Sequence, residues 1–170
     1  MRLTHRPVVE QDLATICAFP QNAAELFYCF PKADFPLSPG QLQAAIEQRS
    51  DSTVVLRDGV VVAFANFYRW ESGGVCAIGN VMVAPTARGC GVARYLIEQM
   101  RDTAFTRHQA CEVQVSCFNQ NVAGLLLYPQ LGFLPCGVEE RAGKNGERLA
   151  LIHFQQSAAA LSRLPADSAG

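Results

Sequence analysis

The sequence predicts an α/β domain of the α+β kind, and three observations carry that prediction. From residue 3 to residue 154, segments with the two-residue alternation of strands interchange with segments bearing helical apolar stripes. Asp58-Gly59 between two apolar runs is a strong hairpin signal and calls for antiparallel pairing. Finally, Val81 to Ile97 reads as a strand, a glycine-bearing turn and a helix start in succession.

Each element follows from local chemistry. Residues 3–9 read as a first strand and residues 10–19 as a short helix. A second helical stretch at 22–30 is rich in aromatic residues and closes at Pro31. Ser38-Pro39-Gly40-Gln41 has the form of a capping box with proline at the first helical position, so a helix is expected to run to Arg49. Residues 53–56 and 60–70 flank the Asp58-Gly59 turn as paired strands, and Glu71-Ser72-Gly73-Gly74 turns the chain into a strand over 75–83. Further on, a helix is expected at 90–105, a strand at 111–117, a helix at 121–131, and a last hairpin from 133–138 and 149–154 around Lys144-Asn145-Gly146. One domain is expected over 1–155, followed by an Ala/Ser-rich tail over 156–170 that should be flexible.

Composition narrows the function. A chain of 170 residues with 49% hydrophobic content can bury a substantial core. A net charge of −1 with no Lys/Arg block gives no nucleic-acid footprint. No apolar run approaches membrane-spanning length, and the first residues are strand-like, so no membrane partner and a cytoplasmic location are expected. The seven cysteines are odd in number and contain no Cys-x-x-Cys pair with a histidine partner, so most should act as small hydrophobes and no metal site is expected. Cys111 and Cys117 should share one face of their strand.

Chemistry concentrates at the glycine turn. Gly89 and Gly91 sit where a helix begins, and a helix start presents backbone N–H groups without intrahelical partners together with a partial positive charge. Phosphate oxygens bind such a place directly, and Arg88 adds a planar cation suited to them. The alternative is a glycine-rich turn before a packing helix. Cys90 lies inside the turn and is expected to be sensitive to oxidation. Asn121 and Tyr128, seven residues apart, lie about two helical turns from each other on one helix face.

Arg88-x-x-Gly91-x-Ala93 together with Asn121 to Phe133 resembles the GNAT superfamily of acetyl-CoA-dependent N-acetyltransferases. The resemblance implies a central twisted sheet of about seven strands, mixed but mostly antiparallel, flanked by about four helices. It also implies acetyl-CoA as the donor, with Arg88, Gly89, Cys90, Gly91, Val92 and Ala93 at the pyrophosphate, and Val81, Met82, Val83, Asn119 and Asn121 near the pantetheine arm. Tyr128 would face the thioester sulfur as acid or hydrogen-bond donor. The segments Glu25 to Lys32, Phe64 to Tyr68 and Asn80 to Val83 are similar to a bacterial subgroup acetylating lysine amines, including C-terminal lysines. Phe27, Tyr28, Asn66 and Tyr68 are accordingly the acceptor-binding candidates, with Phe30, Phe35 and Trp70 beside them.

Transfer to an amine needs a base, because an alkylammonium with a pKa near ~10.4 is almost fully protonated at neutral pH. Many family members place a Glu on the fourth strand; Ala77-Ile78-Gly79-Asn80 holds no carboxylate. A water relayed by Ser116, Asn80 or backbone carbonyls is the preferred base, and Glu25 the alternative. No catalytic role is expected for His5, His108 or His153. Polyamine or aminoglycoside-like acceptors form a second reading, and a non-catalytic acyl-CoA-binding module a third; a homodimer is left open.

Overall fold

A computed structural model describes residues 1–161. The chain runs β1 (Leu3–Pro7), a 3-10 turn (Glu10–Asp12), α1 (Leu13–Cys17), α2 (Ala23–Cys29), α3 (Pro39–Gln48), β2 (Ser50–Arg57), β3 (Val60–Trp70) and β4 (Val75–Val83). Then follow a 3-10 turn (Pro85–Ala87), α4 (Val92–Thr106), β5 (Glu112–Phe118), α5 (Val122–Gln130), β6 (Leu134–Ala142), β7 (Arg148–Ser157) and α6 (Ala158–Leu161). The seven strands form one sheet in the order β1-β2-β3-β4-β5-β7-β6. Only β4 and β5 run parallel, as the α4 crossover between them requires; every other pair is antiparallel.

Local signals account for most of these boundaries. Asp58 and Gly59 both have positive φ, 51° and 85°, as a two-residue hairpin of the primed type demands. Asn22 caps α2 by accepting from the Glu25 N–H at 2.9 Å. Ser38 likewise caps α3, accepting from Gln41 N–H at 3.3 Å, but the return half of the expected box is absent. Gln41 reaches instead to the preceding loop, where its Oε1 accepts from Asp34 N–H at 2.7 Å. The segment expected as one helix over 10–19 divides into the 3-10 turn and α1, pinned to β1 by the Arg6–Asp12 pair at 2.7 Å.

The core lies where α4 packs on β3 and β4, around Phe64, Phe67, Leu96, Ile97 and Met100, all at most 1% exposed. Cys76 and Cys117 are buried within it, as small hydrophobes should be. Cys111 departs from the expectation: it precedes β5, is exposed, and donates from Sγ to Gly74 O. Cys90 and Cys136 are exposed as well. Residues 158–161 of the expected tail are helical, and 162–170 lie outside the described residues.

Two irregularities position the site. Opposite Ala65 of β3, strand β4 carries two residues, Asn80 and Val81, and Asn80 takes a φ of 50° in this bulge. On its other side β4 pairs with β5 only from Val75↔Glu112 to Ile78↔Val115. Beyond that point the two strands part, and a wedge opens in the middle of the sheet.

Candidate active site

The wedge leads into a cleft of about 1020 Å³, lined by the far half of β4, the glycine turn, the end of β5, the start of α5 and the segment from Phe19 to Lys32. At one end stands the N-terminus of α4. Gly89 and Gly91 have φ of 72° and 78°, and a Cβ built on either meets nothing within 4 Å, so the turn faces open space. From Gly89 to Arg94 no backbone N–H has an acceptor among the described residues; the first helical bond is Tyr95 N–H to Gly91 O at 3.1 Å. A row of unpartnered N–H groups at a helix start fits a pyrophosphate without further adjustment.

Arg88 has a different engagement. Its Nη1 donates to Glu25 Oε1 at 2.7 Å, Nη2 to Phe19 O at 3.2 Å, and Nε to Val83 O at 3.3 Å. The guanidinium therefore ties the start of α2 to the end of β4. The Arg88 hydrogen bond also holds the Glu25 carboxyl below its ordinary range, the wrong direction for a base that must accept a proton near neutrality.

Tyr128, on α5, closes the middle of the cleft. It is 4% exposed, its ring packs on Phe133 and Phe154, and its hydroxyl has no hydrogen bond among the described residues. Burial, and secondarily the nearby Cys117 thiol, push this phenol well above its usual range, so it keeps its proton. Pro129 is accommodated inside α5 and leaves Tyr128 on the cleft wall.

Ser116, on β5, is the other reactive-looking wall residue, and its partner was not legible in the sequence. Ser116 Oγ lies 2.6 Å from His153 Nδ1, across the β5–β7 register that pairs the two residues. His153 Nε2 lies 3.2 Å from Glu139 Oε1, and Arg141 donates to the same carboxylate at 2.7 Å. The hydrogen bond from Arg141 holds the Glu139 carboxyl below its ordinary range, so a carboxylate faces Nε2. In the neutral tautomer with its proton on Nε2, Nδ1 is an acceptor for the Ser116 hydroxyl.

The bulge of β4 is held by a chain of buried amides. Asn80 Nδ2 donates to Cys29 O at 2.9 Å, Asn66 Nδ2 to Asn80 Oδ1 at 3.1 Å, and Arg49 Nη1 to Asn66 Oδ1 at 3.2 Å. Both ends of the Asn80 side chain are thus engaged, and it shapes the bulge. Asn66 supports from behind and does not line the cleft; Tyr68 does line it. Tyr28 donates to Gln120 Oε1 at 3.0 Å, a contact between α2 and the approach to α5.

Of the residues singled out from sequence, Asn80, Val81, Met82, Val83, Arg88, Gly89, Gly91, Val92, Ala93, Ser116, Asn121, Tyr128, Tyr28 and Tyr68 line this cleft. Cys90, Asn119 and Phe27 do not. Asn119 accepts from Ala150 N–H at 2.9 Å and holds the end of β5 to β7, while Phe27 stacks on Phe118 with centroids 4.8 Å apart. Asn121 accepts from Gly124 N–H at 3.1 Å, so its carbonyl serves as the α5 cap. Arg49 and Arg141 were not singled out from sequence, and His153 was expected to have no catalytic role. No periodicity or motif marks them, since each matters only through a neighbour distant in the chain.

The sheet thus splits between a parallel strand pair, and a row of unpartnered amides stands at the helix that follows β4. Residues 17–133 match the acetyltransferase (GNAT) family, and the chain belongs to that family. Similar solved structures include a ribosomal-protein-alanine N-acetyltransferase from Brucella melitensis, with 25% identity, 91% of this chain and 99% of that one covered, and a TM-score of 0.75. A Salmonella typhimurium protein, yncA, solved with its cofactor acetyl-CoA, has 24% identity, covers 99% of both chains and gives 0.74. A spermidine N-acetyltransferase from Vibrio cholerae, in complex with CoA and spermine, has 19% identity over 93% of this chain and 96% of that one, and gives 0.79. This protein is an acetyltransferase that moves an acetyl group from acetyl-CoA to an amine.

Proposed function

We propose that the acceptor is a primary amine of lysine, in a peptide or protein, and that Tyr128 and Ser116 handle the two protons of the reaction. The observation that carries this reading is the unpartnered hydroxyl of the largely buried Tyr128 in the same cleft as the free amides of Gly89 to Arg94. Bound acetyl-CoA supplies an acetyl group activated as a thioester. Backbone N–H groups from Gly89 to Ala93 hold the pyrophosphate, and the edge of β4 at Val81, Met82 and Val83, free of β5 beyond Ile78, offers backbone groups to the pantetheine arm.

Tyr128 donates a hydrogen bond to the departing sulfur, where negative charge develops. Ser116 receives the proton that the ammonium must lose: as the amine proton passes to Oγ, the serine proton passes to His153 Nδ1, and the resulting imidazolium stands beside Glu139. This replaces the strand-four carboxylate that the chain lacks. Against a polyamine acceptor stands the charge of the cleft, which is lined by Lys32, Arg49, Arg88, Arg94 and Arg141 and by a single carboxylate, Glu25, already paired with Arg88.

Release of CoA thiol, measured across lysine-ended peptides, polyamines and aminoglycosides, tests the acceptor class; turnover confined to polyamines would overturn it. The relay has its own test. A base must be unprotonated to act, so kcat/KM rises with pH through its titration, and His153→Asn and Ser116→Ala should each lower kcat/KM about a hundredfold and flatten that rise. An unchanged pH profile in His153→Asn would remove the relay.

A further inference from the structure

Lysine occurs at only two positions in the sequence, Lys32 and Lys144, and they stand in different surroundings. Lys144, in the turn between β6 and β7, lies 3.4 Å from Asp34 Oδ1 and is not among the residues that line the cleft. Lys32 lines the cleft together with Ser116 and Tyr128, is exposed, and has no hydrogen bond or ion pair among the described residues. Its place in the chain is nonetheless fixed. Phe30 and Ala33 on either side are buried, Ala33 N–H donates to Phe30 O at 3.1 Å, and Asn80 ties Cys29 O to the β4 bulge.

A held backbone under a free four-carbon stem keeps a primary amine at the cleft wall. Tethering of that kind corresponds to an effective concentration in about the millimolar range, so the chain carries its own competitor for any added amine. The other cations that line the cleft are all arginines, Arg49, Arg88, Arg94 and Arg141, whose guanidinium groups stay protonated and offer no nucleophile.

We propose that Lys32 is an acetylation site of the enzyme itself, modified in cis from acetyl-CoA bound in the same cleft. The site rests on the acetyltransferase reading of the cleft and extends it from added amines to a residue of the chain. The Lys32 ammonium first gives one proton to the Ser116–His153 pair. The Nζ lone pair then bonds to the acetyl carbon, the carbon–sulfur bond breaks with its electrons going to sulfur, and a second amine proton passes to that sulfur. The products are an uncharged amide at Lys32, CoA thiol and one proton released to solvent. Acetylation removes one of the five positive charges that line the cleft.

The full chain, treated first with a lysine deacetylase, is incubated with isotope-labelled acetyl-CoA and no added amine, and label at each lysine is followed by peptide mass spectrometry. Lys32 should be acetylated at least about tenfold faster than Lys144, which records uncatalysed transfer. The Lys32 rate per molecule should not change with protein concentration, as a step in cis requires. Excess CoA, which competes for the cleft, should suppress it and leave Lys144 unaffected. Equal rates at the two lysines, a Lys32 rate that rises with protein concentration, or one indifferent to CoA would overturn the site. Thiol release with added amines reports separately on the acetyltransferase reading: turnover of amines with Lys32 left unmodified overturns the site alone, whereas no turnover with any amine overturns the reading.

Discussion

At the scale of single residues, Tyr128 shows how burial and reactivity are coupled. Its ring packs against Phe133 and Phe154, yet the hydroxyl has no protein partner among the described residues, and burial keeps it protonated. Deleting the oxygen leaves no broken hydrogen bond in the unliganded protein, while it removes the donor from the departing sulfur. Tyr128→Phe should therefore lower kcat about tenfold or more and leave the melting temperature within about 2 °C of wild type. Steady-state kinetics under conditions where chemistry limits, paired with a thermal melt, check this; wild-type kcat would refute the role. Asn121 shows the opposite balance. The family resemblance suggested a polar contact to the pantetheine arm, and the side-chain carbonyl is the α5 cap.

At the scale of elements, the ends of helices and strands depend on pairs that a pattern detects only in part. Asn22 caps α2 within three residues, and Ser38 was recognisable as a cap because it acts over the same short span. The division of the first helical segment was not, because Arg6 reaches Asp12 from β1 and draws the chain into a 3-10 turn. That pair also makes a pH-dependent contribution. The Arg6 hydrogen bond, helped by Val9 N–H, holds the Asp12 carboxyl below its ordinary range. A carboxylate with a depressed folded-state pKa contributes fully above its unfolded value, near ~3.9, and the contribution is lost as pH falls through the lower folded value. Asp12→Asn should lower unfolding free energy by about 1–2 kcal/mol at neutral pH, at the modest end because Arg6 is 38% exposed to solvent. In denaturant titrations the gap from wild type should close below about pH 4; a gap constant down to pH 2 would contradict the assignment.

At the scale of the whole molecule, the split between β4 and β5 opens a cleft that includes the α4 turn, so binding there is linked to global stability. A ligand that binds only the folded state at 100 times its Kd stabilises by about 2.7 kcal/mol. Saturating CoA should thus raise the melting temperature of the wild-type protein by several degrees. Gly91→Ala, forced to keep a φ of 78° and to place a methyl group in the open cradle, should lose most of that increment and about 1 kcal/mol of intrinsic stability. An unaltered CoA-induced shift in Gly91→Ala would mean that the turn does not hold the pyrophosphate.

The sequence by itself determined the strand and helix order, the Asp58-Gly59 hairpin, and a glycine turn at a helix start written within consecutive residues, Gly89 to Ala93. Such features are local: a positive φ, a cap or a helix start is settled by residues a few positions apart. The tertiary structure alone decided the contacts of Arg49 and Ser116. Arg49 meets Asn66 and Gly79, and Ser116 meets His153, across gaps that only sheet register closes. Arg88, expected at a phosphate, meets Glu25 from α2 for the same reason. Hydrogen bonds and ion pairs act over about 3 Å, and which side chains come within that distance is set by how strands pair and part, a property of the folded sheet.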